Sequence, residues 1–216
     1  TDAMFPPLPF EPARTHALSL MQELDGNPLF QRGQSGMMFG ILVCQNPQTG
    51  RQVVLKAFSG QCFGQWLVEG WAPPLLDVAG YRAQVQQDDG AIQALTAEIQ
   101  DLEKELLHKE GLADADKEAF SDAGKSNSPI LSQLKELRRR RRELSNQSLA
   151  AIYRLYRFPC ADGRTRGFAD FYPGFSQGNL PPTGTGDCCA PKLFGWAFSQ
   201  GLVPLSLAEF FYGAAT

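Results

Sequence analysis

Pro181-Pro182-Thr183-Gly184-Thr185-Gly186-Asp187-Cys188-Cys189-Ala190-Pro191-Lys192-Leu193-Phe194 holds more structural instruction than any other run in this chain. Two prolines stiffen the approach, and two glycines permit backbone that bulkier residues avoid. Pro191 suits the first turn of a helix, where its missing N–H costs nothing. Asp187 precedes it at a position where a carboxylate can cap orphan N–H groups and complement the helix dipole. The run continues through Trp196, Ala197 and Phe198 to Gly201, which reads as the residue that stops the helix. Leu202 to Tyr212 is mostly apolar and reads as a buried strand. Loop, buried helix and strand are therefore expected in that order, with Asp187, Cys188 and Lys192 gathered where the helix begins. Gly184, Gly186 and Glu209 complete a candidate pocket there, since polar and sulfur chemistry at a helix N-terminus is what a ligand site needs. A capped helix with two small buried thiols is the competing reading.

Upstream, Met37 to Gln45 (MMFGILVCQ) is apolar and partly β-branched, and Gln52 to Ser59 (QVVLKAFS) follows the turn Asn46-Pro47-Gln48-Thr49-Gly50. Two such runs around a five-residue loop with glycine predict an antiparallel hairpin. Before it, Ala17, Leu18, Met21 and Leu24 predict a short amphipathic helix ended by Asp25-Gly26-Asn27-Pro28, after a proline-rich lead-in. After it, Trp66, Trp71 and Phe63 crowd a loop, where such aromatics more often close a core than bind a partner. Phe168 to Phe175 reads as an aromatic strand or edge.

Residues 83–157 differ in character. Ile92, Leu95, Ile99, Leu102 and Leu106 recur at alternating steps of three and four, the seam of a coiled coil. A polar stretch ending at Ser128-Pro129 interrupts it, and Ile130, Leu134, Leu137, Leu144, Ile152 and Leu155 carry a second stripe. The prediction is an antiparallel helical hairpin inserted as an arm into one globular domain spanning 1–216. Its first helix is acidic (Glu98, Asp101, Glu103, Glu105), whereas its second contains Arg138-Arg139-Arg140-Arg141-Arg142. A helix spreads five consecutive residues around its circumference, so some of these arginines must face the acidic helix and others solvent or phosphate. A solvated face paired with carboxylates is the bland alternative. Lys135 and Arg154 extend the basic character and favour RNA contact.

Composition sets the outer bounds. The chain has 216 residues, 43% hydrophobic and 20% charged, which suits one sizeable core. A formal net charge of −3 argues against a generally basic nucleic-acid binder and leaves a local basic patch open. No run approaches the ~18 apolar residues of a membrane span, and no signal pattern opens the chain, so no membrane partner is expected. Five cysteines, an odd number with no CxxC pair, point to a reducing, cytoplasmic setting rather than a disulfide framework. Two histidines, His16 and His108, cannot build a multi-histidine metal site, and no metal or cofactor is expected. Gly184-Thr185-Gly186 lacks the spacing of either phosphate-binding glycine motif. A cysteine–histidine pair through His16 has no support in spacing.

The motifs nonetheless resemble a known family. Met37-Met38-Phe39-Gly40-Ile41-Leu42-Val43 with Ala57-Phe58-Ser59-Gly60 resembles the hairpin in the extra N-terminal region of long RluA-type RNA pseudouridine synthases. Residues 1–10 look like its lead-in, and Trp71-Ala72-Pro73-Pro74-Leu75-Leu76-Asp77 is similar to its "FVPPVFD" segment. The stretch from Pro181 to Leu193 resembles its "PPxGxGECAAPKLL", and Leu207-Ala208-Glu209-Phe210-Phe211-Tyr212-Gly213 its "MAEFWWG". The likeness spans nearly the whole chain in the same order. Synthases of this type use an aspartate nucleophile in an "HRLD"-like motif of a separate catalytic domain, and that motif is absent here. The resemblance thus implies an RNA-directed accessory role without catalytic residues, with tRNA or rRNA as partner.

A fainter resemblance concerns fold. A hairpin, then a helix opening on Cys-x-x-Pro-Lys, then a strand, is similar to the cytidine-deaminase-like arrangement. If Cys188 stands at the first zinc-ligand position, Ala190 stands where the catalytic glutamate belongs, and no Cys-x-x-Cys follows. By that alignment the chain is inert.

The expected architecture is an α/β (α+β) domain, a small sheet with a hairpin and flanking helices, cytidine-deaminase-like, carrying the helical arm. The leading expectation is a non-catalytic RNA-binding accessory module. One alternative is a small enzyme of deaminase-like fold using Asp187, Cys188 and Lys192 on a nucleotide-like substrate. Another is a structural interaction module, with the arm as a route to a dimer.

Overall fold

A computed structural model describes residues 8–26, 36–115 and 128–213. The lead-in at 1–7, the Asn27-Pro28 breaker and the polar connection at 116–127 lie outside them. In order, the elements are α1 (Ala13–Asp25), β1 (Met37–Gln45), β2 (Gln52–Phe58), α2 (Val78–Ala115) and α3 (Ser128–Tyr153). Then come β3 (Phe158–Pro159), β4 (Thr165–Arg166), α4 (Phe168–Phe171), a 3-10 turn (Phe175–Gln177), α5 (Cys189–Ser199) and β5 (Val203–Tyr212). The fold is mixed α/β with small antiparallel sheets, and it divides into two compact units. One contains residues 1–78 and 154–216, the other residues 79–153.

In the first unit the sheet order is β2-β1-β5, with β1 antiparallel to both neighbours. The hairpin turn is held by Asn46, whose Oδ1 accepts the N–H groups of Gln48 and Thr49 at 2.9 and 3.1 Å. β1 reads as a continuous apolar run because it is covered on both faces. Phe39, Ile41 and Val43 pack with Ala13, Ala17, Leu20 and Leu24 of α1. Leu42 and Cys44 pack with Cys189, Leu193 and Ala197 of α5. The alternation of a strand thus sends successive residues to two different helices. Gly40 is what lets α5 come close: a Cβ there would lie 2.7 Å from Cys189 Cβ. Trp66 and Trp71 are buried, Trp71 against the rings of Phe39 and Phe58, whereas Phe63 stays on the surface.

Pro204 falls where the β1–β5 register shifts, opposite Cys44, while Ser206 pairs with Val43. A proline is tolerated there because an irregular edge strand asks no ladder hydrogen bond of it.

The aromatic stretch after Arg166 departs from the expected strand. Gly167 N–H donates to Asp170 Oδ2 at 2.7 Å, which closes the short helix α4. Pro173-Gly174, with Gly174 at φ +82°, then turns the chain into the 3-10 segment. Phe168 still does core work, with its ring against Tyr156, Phe158 and Phe175.

In the second unit, Ile99, Ile130, Leu134 and Leu137 are buried together, with Leu95, Leu102 and Leu106 packed around them. Asp88 is hydrogen-bonded to Ser148 and Glu103 to Arg138, so residue numbers rise along one helix as they fall along the other. The helices are therefore antiparallel. α2 is longer than the sequence stripe at both ends, and α3 stops at Tyr153, because Tyr156 bridges to Leu76 instead of continuing the helix. No helix among the described residues is long and apolar enough to cross a membrane.

Candidate functional site

Around the N-terminus of α5 the loop is built from overlapping turns. Thr185 N–H and Oγ1 both donate to Pro182 O, and Asp187 N–H donates to Gly184 O at 3.1 Å. Gly186 sits at φ +96°, and a Cβ there would meet the Tyr156 ring at 2.9 Å. Only glycine satisfies both demands. The structure brings Asp187, Cys188, Lys192 and Glu209 into one electrostatic neighbourhood with Cys189. Gly184 and Gly186 shape the loop beside it.

Where each side chain spends its polar groups decides the chemistry. Asp187 does not cap α5; the N-cap is Cys188, which makes no side-chain cap bond. Asp187 Oδ1 instead accepts the Tyr156 hydroxyl at 2.8 Å, and its carbonyl accepts Gly60 N–H at 2.9 Å. Glu209, reaching across from β5, takes the capping role by accepting Ala190 N–H at 3.1 Å. Ala190, the position of the missing glutamate in the deaminase alignment, thus has a carboxylate against its backbone from a different element.

Lys192 is only 1% exposed, and its Nζ donates to Phe58 O at 3.0 Å and Gly60 O at 2.8 Å. It lies over the Phe58 ring, 5.0 Å from the centroid, with Trp66 behind it. Burial lowers its pKa, and the carboxylate of Asp187 opposes that fall. Burial likewise raises the pKa of Asp187, against the Tyr156 hydrogen bond and the charge of Lys192. The Cys189 thiol, donating to Met38 O at 3.3 Å, is pushed up to about 12 by burial and by the neighbouring Glu209 charge. At neutral pH it is a packed thiol rather than a nucleophile. These groups are turned on the protein itself and pin the end of β2 to α5. Tyr156, Phe58 O and Gly60 O complete the cluster. No spacing in the sequence announces them, because they come from the far side of a long insertion and from backbone carbonyls. Among the described residues no three His, Cys, Asp or Glu side chains are grouped to hold a metal ion.

The basic run lies in the second unit. Arg138 pairs with Glu103 of α2 at 2.7 Å, and Arg139 is clamped within α3 by Glu136 and Glu143. Those two carboxylates raise the Arg139 pKa further above its ordinary value. The acidic partners are Glu103, Glu136 and Glu143, while Asp101 pairs with Lys104 of its own helix. Lys135, Arg140, Arg141 and Arg142 are exposed and have no ion pair among the described residues. Arg141 follows Leu137 by four and precedes Leu144 by three, so it falls on the seam spacing yet remains exposed. Arg154 belongs to the other unit, where its carbonyl accepts Arg157 Nη1 at 2.7 Å. Between α2 and α3 runs an open groove of about 880 Å³, lined in part by Leu106, Leu107, Leu131, Lys135 and Arg142. A smaller hollow of about 260 Å³ lies at residues 169–177. Comparison with family models, curated proteins and solved structures returned no match to this chain.

Proposed function

We propose that this chain is a non-catalytic RNA-binding accessory module associated with pseudouridine synthesis, with tRNA or rRNA as partner and the cytoplasm as its setting. The observation that carries the reading is the trio Arg140, Arg141 and Arg142: three consecutive exposed guanidiniums that make no ion pair among the described residues, on a chain of net charge −3. Arginine presents a planar fork suited to phosphate oxygens, and cations not already paired are the ones free to displace counterions. The helical arm is read as a coiled coil presenting them. The order hairpin, helix, strand in the first unit supports a cytidine-deaminase-like fold. In that fold the α5 N-terminus would serve as a structural joint, since Lys192, Asp187 and Cys189 are occupied by protein partners.

Fluorescence anisotropy with a labelled single-stranded oligoribonucleotide tests this across a salt series. Three phosphate contacts give a log–log slope of about −2. Arg140→Gln, Arg141→Gln and Arg142→Gln together flatten the slope and weaken binding for all sequences alike. Arg139→Gln, which touches a clamped side chain, leaves the slope unchanged. A triple variant that binds as tightly and as salt-sensitively as the parent removes the RNA reading.

A further inference from the structure

We propose that the groove between α2 and α3 is a docking site for an acidic amphipathic helix of a protein partner. Its floor is aliphatic. Leu134 is buried there, while Leu107 is 68% and Leu131 52% exposed, although both lie beside a groove large enough to take side chains. Leu107 and Leu131 border the same groove, so their exposed faces belong to one shared apolar floor. The rim is cationic: Lys135, Arg138, Arg139 and Arg142 line the groove against two carboxylates, Glu103 and Glu136. Both carboxylates are already paired with Arg138 and Arg139, so Lys135 and Arg142 remain to be neutralised.

Helix-in-groove recognition places apolar residues at i, i+3, i+4 and i+7 into such a floor, with the flanking residues meeting the rim. Glutamate or aspartate at those flanks matches the excess positive charge. A second copy docking groove to groove would instead set like charges against each other. Nucleic acid fits the rim but makes poor use of the floor, which offers leucine where unstacked bases prefer aromatic faces. The docking surface rests on Leu107, Leu131 and Lys135; Arg142 is shared with the arginine trio of the RNA reading, Lys135 with its wider basic face, and the two leucines belong to the docking surface alone.

The test uses the full chain and a fluorescein-labelled synthetic helix of roughly five turns (~18 residues), with leucine on one face and glutamate on the flanks. A sister probe carries lysine in place of glutamate. The acidic probe binds and the basic one does not. Leu107→Ser with Leu131→Ser weakens the acidic probe about tenfold, the amount expected when partial burial of two leucines is lost. Circular dichroism shows these variants folded, because both side chains are exposed. Lys135→Glu, which removes no apolar area, also weakens the acidic probe and admits the basic one. Equal binding of both probes, or indifference to the leucine and Lys135→Glu substitutions alike, overturns the proposal. So does a parent that sediments as a dimer and becomes a monomer with the leucine variants, which would assign the groove to a second copy. Displacement of the acidic probe by oligouridylate that the leucine variants abolish would assign it to nucleic acid, and equally defeats the proposal.

Discussion

Three buried thiols, Cys44, Cys62 and Cys189, give the protein a measurable response to alkali, each held above its ordinary pKa by burial. Cys44 is pushed up to about 11 and Cys189 to about 12 by burial, against 9.0 for the exposed thiol. Above pH 9 the unfolded chain gives up thiol protons that the folded chain keeps, so folding stability falls as pH rises toward 11. Each thiol contributes a slope of up to about 1.4 kcal/mol per pH unit in that window. Lys192 acts in the opposite sense: its folded pKa is lowered below 10.5, so the unfolded chain holds its proton longer and stability rises with pH over that interval. Three buried thiols, together with the Tyr212 hydroxyl that its hydrogen bond to Asp25 holds above its ordinary pKa, against one amine leave a net descent. Urea midpoints taken between about pH 8 and pH 11 should show it, and Cys44→Ala with Cys189→Ala should make it shallower, with Cys62 and Tyr212 left to carry the remainder. An unaltered descent in that double variant would mean that other groups carry the alkaline response. None of this was written in the sequence, where Cys188 and Cys189 look alike. One is exposed and the other packed against Gly40, a distinction made by the sheet.

At the scale of elements, α5 is the piece most fully legible in advance. Its C-terminus closes as a Schellman motif: Leu202 N–H donates to Ala197 O at 2.9 Å and Gly201 N–H to Phe198 O at 3.1 Å, with Gly201 at φ +66°. Leu202 then packs in the same apolar cluster as Ala197, so glycine, hydrophobic partner and strand entry form one unit. The other end was not legible, because the capping carboxylate comes from β5 and the nearer Asp187 is drawn to Tyr156. Glu209→Ala should cost about 0.5–2 kcal/mol, the range for losing a cap, whereas Glu209→Gln should keep most of it. If chemical denaturation finds Glu209→Ala as stable as the parent, water satisfies Ala190 N–H and the contact is incidental. The hairpin was equally clear, since its strands and turn obey local rules. The stretch from Phe168 to Phe175 was not, because its aromatic content favours a strand while Asp170 and Gly174 impose turns. Strand propensity reports packing surface more than backbone preference, and a local side-chain hydrogen bond overrode it.

The whole molecule follows from how little the first unit needs the second for closure. Residues on either side of the insertion are tied together: Arg157 N–H donates to Leu75 O at 2.8 Å, Asp77 N–H donates to Leu155 O at 3.2 Å, and Leu76 bridges Tyr156. A short glycine linker replacing residues 79–153 can therefore join ends that already meet. The shortened chain should keep one cooperative thermal transition and its tertiary circular dichroism. Loss of cooperative melting would show that the helical pair is needed for the core of the first unit. The switch from strand and turn chemistry to heptad spacing was visible in the sequence. The exact joint was not, because it is made by two backbone hydrogen bonds that carry no residue-type signature.

That joint also bears on the order in which the chain assembles. β1 must pair with β5, whose residues lie at the opposite end of the sequence, a closure that is entropically slow for an open chain. Helices α2 and α3 need only find each other, and once paired they hold Asp88 beside Ser148. The helical pair then acts as a splint that takes up nearly half of the chain separating β1 from β5. Substitutions that loosen its seam, such as Leu134→Ala, should slow refolding of the sheet even though no sheet residue has changed.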